Sequence, residues 1–165
     1  MKIRELMCNC VQTCRAQDSL AKAAQLMWDF DCGAVPVVDE DGALVGMITD
    51  RDIAMAAYLQ GKTLAESRVF TVMSRNVETI GPEDSPVIAE FAMQRRQVRR
   101  LPVVDEHGRL LGMVTLGDLA HFMASEQSFG SDGMTWSAVA HTLAAVSEPR
   151  SVRLPPATDA ADAAE

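Results

Sequence analysis

The sequence is poor in aromatic residues, in positive charge and in long apolar runs. Only 5% of its 165 residues are aromatic, so the core must be aliphatic, and an apolar fraction of 48% is enough to build one. Fifteen Lys and Arg face 23 Asp and Glu, and the net charge of -8 disfavours a nucleic-acid partner. No stretch approaches the ~18 apolar residues of a membrane helix, and the first residues lack a signal peptide's apolar segment. We therefore expect a cytoplasmic globular protein without a membrane partner.

Cysteine is scarce and its spacing is irregular. The four cysteines are Cys8, Cys10, Cys14 and Cys32. The pair Cys8-x-Cys10 lacks the two-residue spacing that is usual in structural zinc sites. Core or incidental thiols are the favoured interpretation, ahead of redox sensitivity and metal binding, and we expect no metal site.

No set of residues suited to catalysis stands out. His107 falls in a predicted turn and His121 in a predicted helix, and neither has a visible nucleophile as partner. We therefore predict that the chain is not an enzyme.

The chain contains a tandem duplication with a constant offset of 66 residues. Between Pro36 and Ala54, 12 of 19 residues are identical to those 66 positions later. The same offset pairs Met7 with Met73 and Ser19 with Ser85, and no gap is needed. An internal repeat of this length is one structural unit used twice.

Each copy predicts the element order β-α-β-β-α. A short β-prone run is followed by a helical pattern, a hairpin and a second helix. In the first copy Ser19 is the predicted cap of the first helix, and in the second copy Asp84 or Ser85 begins it, with Pro86 in the first turn. The expected first strands are Val11–Cys14 and Val77–Ile80. The expected second helices are Asp50–Leu59 and Leu116–Ser125. The residues expected to be buried on the first helices are Leu20, Ala23, Ala24, Met27, Phe30, Val87, Ile88, Phe91, Ala92 and Met93.

The predicted fold class is α/β (α+β), with the two repeats packed sheet to sheet about a pseudo-twofold axis and a C-terminal helix added. One copy alone buries too little surface and leaves one face of its sheet bare. Pairing the two bare faces creates two related clefts where the copies meet. We divide the chain into repeat 1 (1–65), repeat 2 (66–125), a linker with a C-terminal helix (126–147) and a disordered tail (148–165).

The same small motif ends each hairpin. It is Thr49-x-x-Asp52 in repeat 1 and Thr115-x-x-Asp118 in repeat 2. The Thr hydroxyl lies beside unpaired amides at a helix N-terminus, which attracts phosphate, and the Asp oxygens suit the vicinal hydroxyls of a ribose. The alternative is a capping box, in which the two side chains satisfy only the first amides of the helix.

The duplicated hPVVDE-x-G-x-hhGMhT-xx-Dh pattern resembles a tandem CBS-domain pair, or Bateman module, over about residues 6–124. The resemblance implies a regulatory module that binds adenosine-containing ligands such as AMP, ADP, ATP or S-adenosylmethionine. It assigns phosphate contact to Thr49 and Thr115 and ribose contact to Asp52 and Asp118. It also implies a homodimer, an unidentified regulated protein as a further partner, and an adenine nucleotide as regulatory ligand with no required cofactor.

Other residues could complete a ligand site. Arg51 has Gly117 as its equivalent, whereas Arg99 and Arg100 correspond to Gly33 and Ala34. An arginine suits phosphate oxygens, although the string RRQVRR could also be a solvated helix end. The apolar candidates for an adenine slot, each of which could equally be core, are Val11, Ile48, Val72, Val77 and Val114.

Two functions therefore compete. The favoured one is a ligand-sensing module that holds adenosine nucleotide in the clefts between its repeats. The alternative is a ligand-free dimerisation scaffold in which the Thr-x-x-Asp motifs are only helix caps.

Overall fold

The architecture follows the predicted repeat, in a computed structural model that describes residues 1–125 and 135–147. Each repeat has a helix, a two-stranded antiparallel hairpin and a second helix. In repeat 1 these are α1 (Leu20–Asp29), β1 (Ala34–Val38), β2 (Leu44–Thr49) and α2 (Asp50–Gln60). In repeat 2 they are α3 (Pro86–Arg96), β3 (Arg100–Val104), β4 (Leu110–Thr115) and α4 (Leu116–Ser125), and α5 (Trp136–Ser147) follows. The predicted fold class is confirmed.

The first β-segment of each repeat is shorter than predicted. It is reduced to one parallel bridge, Cys14 to Val37 in repeat 1 and Ile80 to Val103 in repeat 2. Cys14 N–H donates to Pro36 O at 3.1 Å, and the chain then turns away. The predicted four-residue strands are therefore each a single point of attachment to the sheet.

The helices begin where the sequence predicts. α1 buries the predicted Leu20, Ala23 and Met27, whereas α3 buries a different face. Ser19 caps α1 through its side chain, and Pro86 is the first residue of α3. Phe30, Ile88 and Phe91 are exposed, contrary to expectation. Phe30 lies just beyond the end of α1. α3 turns Ala89, Ala92 and Met93 to the core, which leaves Ile88 and Phe91 on its outer face.

The segment that begins each repeat packs on the other repeat. Short 3-10 helices at Ile3–Glu5 and Val69–Thr71 carry one fully buried residue each. Ile3 lies in the core of repeat 2, together with Leu101 and Leu119. Val69 lies in the core of repeat 1. Each repeat thus completes its core with a side chain from the beginning of the other.

Main-chain hydrogen bonds fix this exchange. Cys8 N–H donates to Met113 O at 2.9 Å, and Met113 N–H donates back at 3.0 Å. Met47 and Ser74 form the equivalent pair, with both bonds at 2.9 Å. These antiparallel bridges attach each exchanged segment to the edge strand of the opposite hairpin, and they obey the same pseudo-twofold relation as the sequence repeat.

The face shared by the two repeats is a small apolar cluster. Ala34 and Met47 from repeat 1 pack with Met113 from repeat 2, and Val11 and Val77 border them. This cluster is separate from the two larger cores that lie between each hairpin and its helices.

The C-terminal helix docks on repeat 2. Val139 and Val146 of α5 join the core of that repeat. The fully buried Thr142 hydroxyl bonds to the Glu90 carboxylate, and the Gln97 amide donates to Ala145 O at 3.2 Å. The helix is therefore part of the same unit. The predicted linker, apart from residue 135, and the predicted disordered tail at 148–165 fall outside the described residues.

Glycine is required where the exchanged segments cross. A Cβ on Gly112 would lie 2.6 Å from Cys8 O, and one on Gly46 would lie 2.9 Å from Ser74 O. The contacting atoms are main-chain oxygens of residues that are each held by two hydrogen bonds, so they cannot move away easily. These glycines therefore allow the protein's own backbone to pass close to the strands.

We expect Gly112→Ala to lower the free energy of unfolding by about 2 kcal/mol or more, because the methyl group must displace the Cys8 segment. Gly117→Ala is the matched control. It adds the same methyl group at an exposed helical position and should change stability by less than about 0.5 kcal/mol or raise it slightly. Equilibrium urea unfolding measures both, and equal losses would contradict this account.

Candidate functional site

Both predicted Thr–Asp pairs form complete capping boxes. In repeat 1, Asp52 N–H donates to Thr49 Oγ1 at 3.2 Å, and Thr49 N–H and Oγ1 donate to Asp52 Oδ2 at 2.9 and 2.7 Å. In repeat 2 the corresponding distances for Thr115 and Asp118 are 3.2, 2.7 and 2.7 Å. Both motifs therefore act as helix caps in this structure.

The caps leave one oxygen of each carboxylate available. Only Oδ2 of Asp52 and Asp118 takes part in the box, and Oδ1 accepts no hydrogen bond from residues 1–125 or 135–147. All four side chains are half-buried. Capping and binding of a ligand hydroxyl are therefore chemically compatible at the same residue.

The helix starts are tied to the segments that enter β1 and β3. Asp50 N–H donates to Gly33 O at 3.3 Å, and Leu116 N–H donates to Arg99 O at 2.9 Å. The Arg100 guanidinium of repeat 2 comes within 3.9 Å of the Cβ position of Gly33. Arg100 is thus brought to the start of α2, in the other repeat.

Asp50 is a residue that the sequence analysis missed. Its carboxylate Oδ2 lies 3.2 Å from the Cβ position of Gly33, on the same point that Arg100 approaches. A comparison of the two repeats could have found it, because the equivalent position holds the apolar Leu116.

The four arginines of the RRQVRR string divide into two groups. Arg95 and Arg96 pair with Glu78, Arg96 at 2.8 Å. Desolvation by itself would raise the pKa of Glu78, but hydrogen bonds from the two guanidinium groups outweigh it and hold that pKa below its usual value. Arg99 is exposed and Arg100 half-buried, and neither joins an ion pair within the described ranges. Only the second pair is available for an anionic ligand.

The apolar residues predicted for an adenine slot also divide into two groups, one that lies in or packs on the cores and one at the shared face. Ile48 and Val114 are fully buried beneath the helices of their own repeats, and Val72 packs on the core of repeat 1. Val11 and Val77 border the shared face. Strand alternation explains the difference, since Met47 and Met113, one residue earlier, are the ones turned to the shared face.

Two cavities lie at the other end of the hairpins. One of about 280 Å³ is bounded by the extended segment 9–15, the turn of the first hairpin and β4. One of about 650 Å³ adjoins the turn of the second hairpin and is rich in carboxylates, Glu83, Asp84, Asp105 and Glu106 among them. Val11 lines the first cavity. The Thr–Asp pairs lie in neither, so the predicted clefts are not among these cavities.

The four cysteines differ in exposure. Cys14 is buried in the core of repeat 1, Cys8 and Cys10 are exposed, and all four are free thiols. Within the described ranges no group of three metal-binding side chains occurs. Burial, reinforced by Asp18 and opposed by Lys22, raises the pKa of the Cys14 thiol to about 11.

The repeated unit of helix, hairpin and helix, with a capped helix start in each copy, is the arrangement compared with known proteins. The CBS domain family model matches residues 3–58 and 69–125, and the chain belongs to that family. It is a tandem CBS pair, a ligand-binding regulatory module.

Relatives support this assignment along most of the chain. CBS domain-containing protein YhcV of Bacillus subtilis strain 168 is 40% identical over 129 residues, which cover 78% of this chain and 90% of the relative. A putative signal-transduction protein with CBS domains from Burkholderia ambifaria superposes with a TM-score of 0.69 at 28% identity, covering 79% of this chain and 99% of that one.

A further solved relative holds ligands. The CBS domain pair of protein MJ0100, in complex with 5'-methylthioadenosine and S-adenosyl-L-methionine, superposes with a TM-score of 0.67 at 28% identity. The match covers 77% of this chain and 98% of that chain.

In residues 1–125 and 135–147, no helix has the length and apolarity needed to cross a bilayer.

We expect Cys14 to resist alkylation by iodoacetamide in the folded chain at pH 8, because its thiol is buried and stays protonated until the pH approaches about 11. Cys8 and Cys10, which are exposed, should be modified first. Mass spectrometry of peptides after timed labelling measures this, with the urea-unfolded chain as control. Equal labelling of Cys14 and Cys8 in the folded chain would contradict the assignment.

Proposed function

We propose that this CBS pair binds adenosine-containing ligands at the starts of α2 and α4. The observation that carries the proposal is the duplicated Thr–Asp pair, whose carboxylates each keep one oxygen out of the cap. In this proposal Asp52 and Asp118 accept ribose hydroxyls through Oδ1. Thr49 and Thr115 lie beside the helix amides, which attract a negatively charged group. The bound adenosyl ligands of the MJ0100 pair support the ligand class.

The remaining contacts come from both repeats. Arg51, Arg99 and Arg100 provide positive charge at the mouth of the sites, and Val11 and Val77 provide apolar surface at the shared face. Ile48, Val72 and Val114 support the site from the cores rather than touch the base. Because Arg100 reaches across to repeat 1, a ligand held there interacts with both repeats. Such a ligand shifts their relative position only if it binds one arrangement more tightly than the other.

The regulatory output goes to another protein in this proposal. Ligand is the only small molecule involved, and no cofactor is required. The cytoplasm is the proposed location, and nucleic acid is disfavoured by the net charge of -8.

The alternative function is a ligand-free scaffold. The complete capping boxes favour it, because they give each Thr and Asp a structural role without a ligand.

Thermal melting with AMP, ATP, S-adenosylmethionine and methylthioadenosine distinguishes the two. A ligand at about 100 times its dissociation constant should stabilise the chain by about 2.7 kcal/mol. Asp52→Ala and Asp118→Ala should each reduce that stabilisation. If both variants melt at lower temperature and no adenosyl ligand shifts any of the three proteins, the scaffold is correct.

Glu40→Gln is the matched control for these variants. It removes a carboxylate from the exposed turn between β1 and β2, away from the helix starts, and should leave the ligand-induced shift unchanged.

We also propose a homodimer formed through α1 and α2. Trp28, Tyr58 and Leu59 on these helices are 87%, 80% and 71% exposed. The pseudo-equivalent helices α3 and α4 are packed against α5 instead. The uncovered helical face of repeat 1 is therefore suited to a second copy of the chain.

We expect Trp28→Lys and Tyr58→Lys to convert the dimer to a monomer while the fold is retained. The charged groups would be buried at the interface without a partner. Leu143→Lys, on the exposed side of α5, is the control and should stay dimeric. Sedimentation velocity measures all three, and a dimer lost only in Leu143→Lys would contradict the assigned face.

A further inference from the structure

The start of α2 carries two opposite charges from different repeats. Asp50 Oδ2 and Arg100 Nη2 lie 3.2 and 3.9 Å from the Cβ position of Gly33. Asp50 belongs to repeat 1 and Arg100 to repeat 2. Both groups approach the same point, but among the described residues they form no ion pair. Their charged atoms are therefore more than 4.0 Å apart. The two charges therefore flank a gap.

Because Gly33 has no side chain, the gap between the two charged groups stays open. A methyl group there would be in tight contact with the Asp50 carboxylate. Asp50 is also held in place, since its Oδ1 accepts from Arg51 N–H at 2.7 Å and Oδ2 is left facing Gly33.

The start of α4 has no such pair. Leu116 occupies the position of Asp50 and Ala34 that of Arg100, and these residues are only 8% and 5% exposed. The two helix starts share their Thr and Asp but differ in the charge that surrounds them.

The chemistry of the pair selects a class of ligand. A carboxylate repels phosphate and attracts an ammonium group, whereas a guanidinium fork binds a carboxylate. An α-amino acid carries an ammonium and a carboxylate on one carbon, and it matches both groups at once. A phosphate matches only Arg100.

Resting on the proposed function, we propose that the α2 site selects an adenosyl ligand that carries an α-amino acid group, through Asp50 and Arg100. The α4 site, with Leu116 and Ala34 in their place, takes an adenosyl ligand without that group. Asp50 and Arg100 are thus specificity residues of one site and not of the other.

Calorimetric titration with three probes tests this: S-adenosylhomocysteine, which carries the amino acid, methylthioadenosine, which lacks it, and AMP. The full-length chain with Asp118→Ala reports the α2 site, and the chain with Asp118 intact is titrated in parallel, so that the result does not depend on one variant folding. S-adenosylhomocysteine should bind at least about tenfold more tightly than methylthioadenosine at the α2 site.

The expected effects of substitution differ in sign between ligands. Asp50→Asn should weaken S-adenosylhomocysteine about tenfold, leave methylthioadenosine unchanged and strengthen AMP severalfold. Arg100→Met should weaken S-adenosylhomocysteine and AMP about tenfold and leave methylthioadenosine unchanged. Glu40→Gln, the control, should change none of the three.

Two results would overturn the inference alone. One is binding of all three ligands with a preference that Asp50→Asn does not change, and the other is an equal loss for all three ligands, which would mean a structural role. Failure of every adenosyl ligand to bind the unsubstituted chain would overturn the proposed function itself, and this inference with it.

Discussion

The main-chain exchange between the repeats is the constraint on which the rest of the structure depends. Cys8 and Ser74 each donate one backbone hydrogen bond to the opposite hairpin and accept one from it, and Ile3 and Val69 fill the opposite cores. Backbone bonds of this kind have fixed length and direction, so they set the relative position of the repeats more strictly than apolar packing could. Arg100 approaches the start of α2 within this fixed arrangement.

The Thr–Asp pairs show that a structural role and a binding role need not exclude each other. A capping interaction contributes about 1 kcal/mol to helix stability, and it uses only Oδ2 of each carboxylate. A ligand hydroxyl bound to Oδ1 would leave the cap intact. The helix start would then be as well ordered before binding as after it, which lowers the entropy that binding must overcome.

Repetition made the fold predictable, because two copies give every element twice. The hairpins and helices are almost as expected, with α2 ending at Gln60 instead of Leu59. Two features were beyond the sequence pattern. The exchanged segments form single bridges that leave no periodic signal, and α3 turns Ile88 and Phe91 outward. The motif located Thr49 and Asp52. Asp50 differs in sequence from its equivalent Leu116, but only its distance to Gly33 shows where its carboxylate lies.

The exchange also means that neither half of the chain is self-sufficient. A chain divided at the boundary between 65 and 66 would give one fragment that carries Ile3 but lacks Val69, and another with the reverse deficiency. Each fragment would contain the buried side chain that the core of the other fragment lacks. The two copies are therefore complementary, because each contributes one buried side chain to the interior of the other.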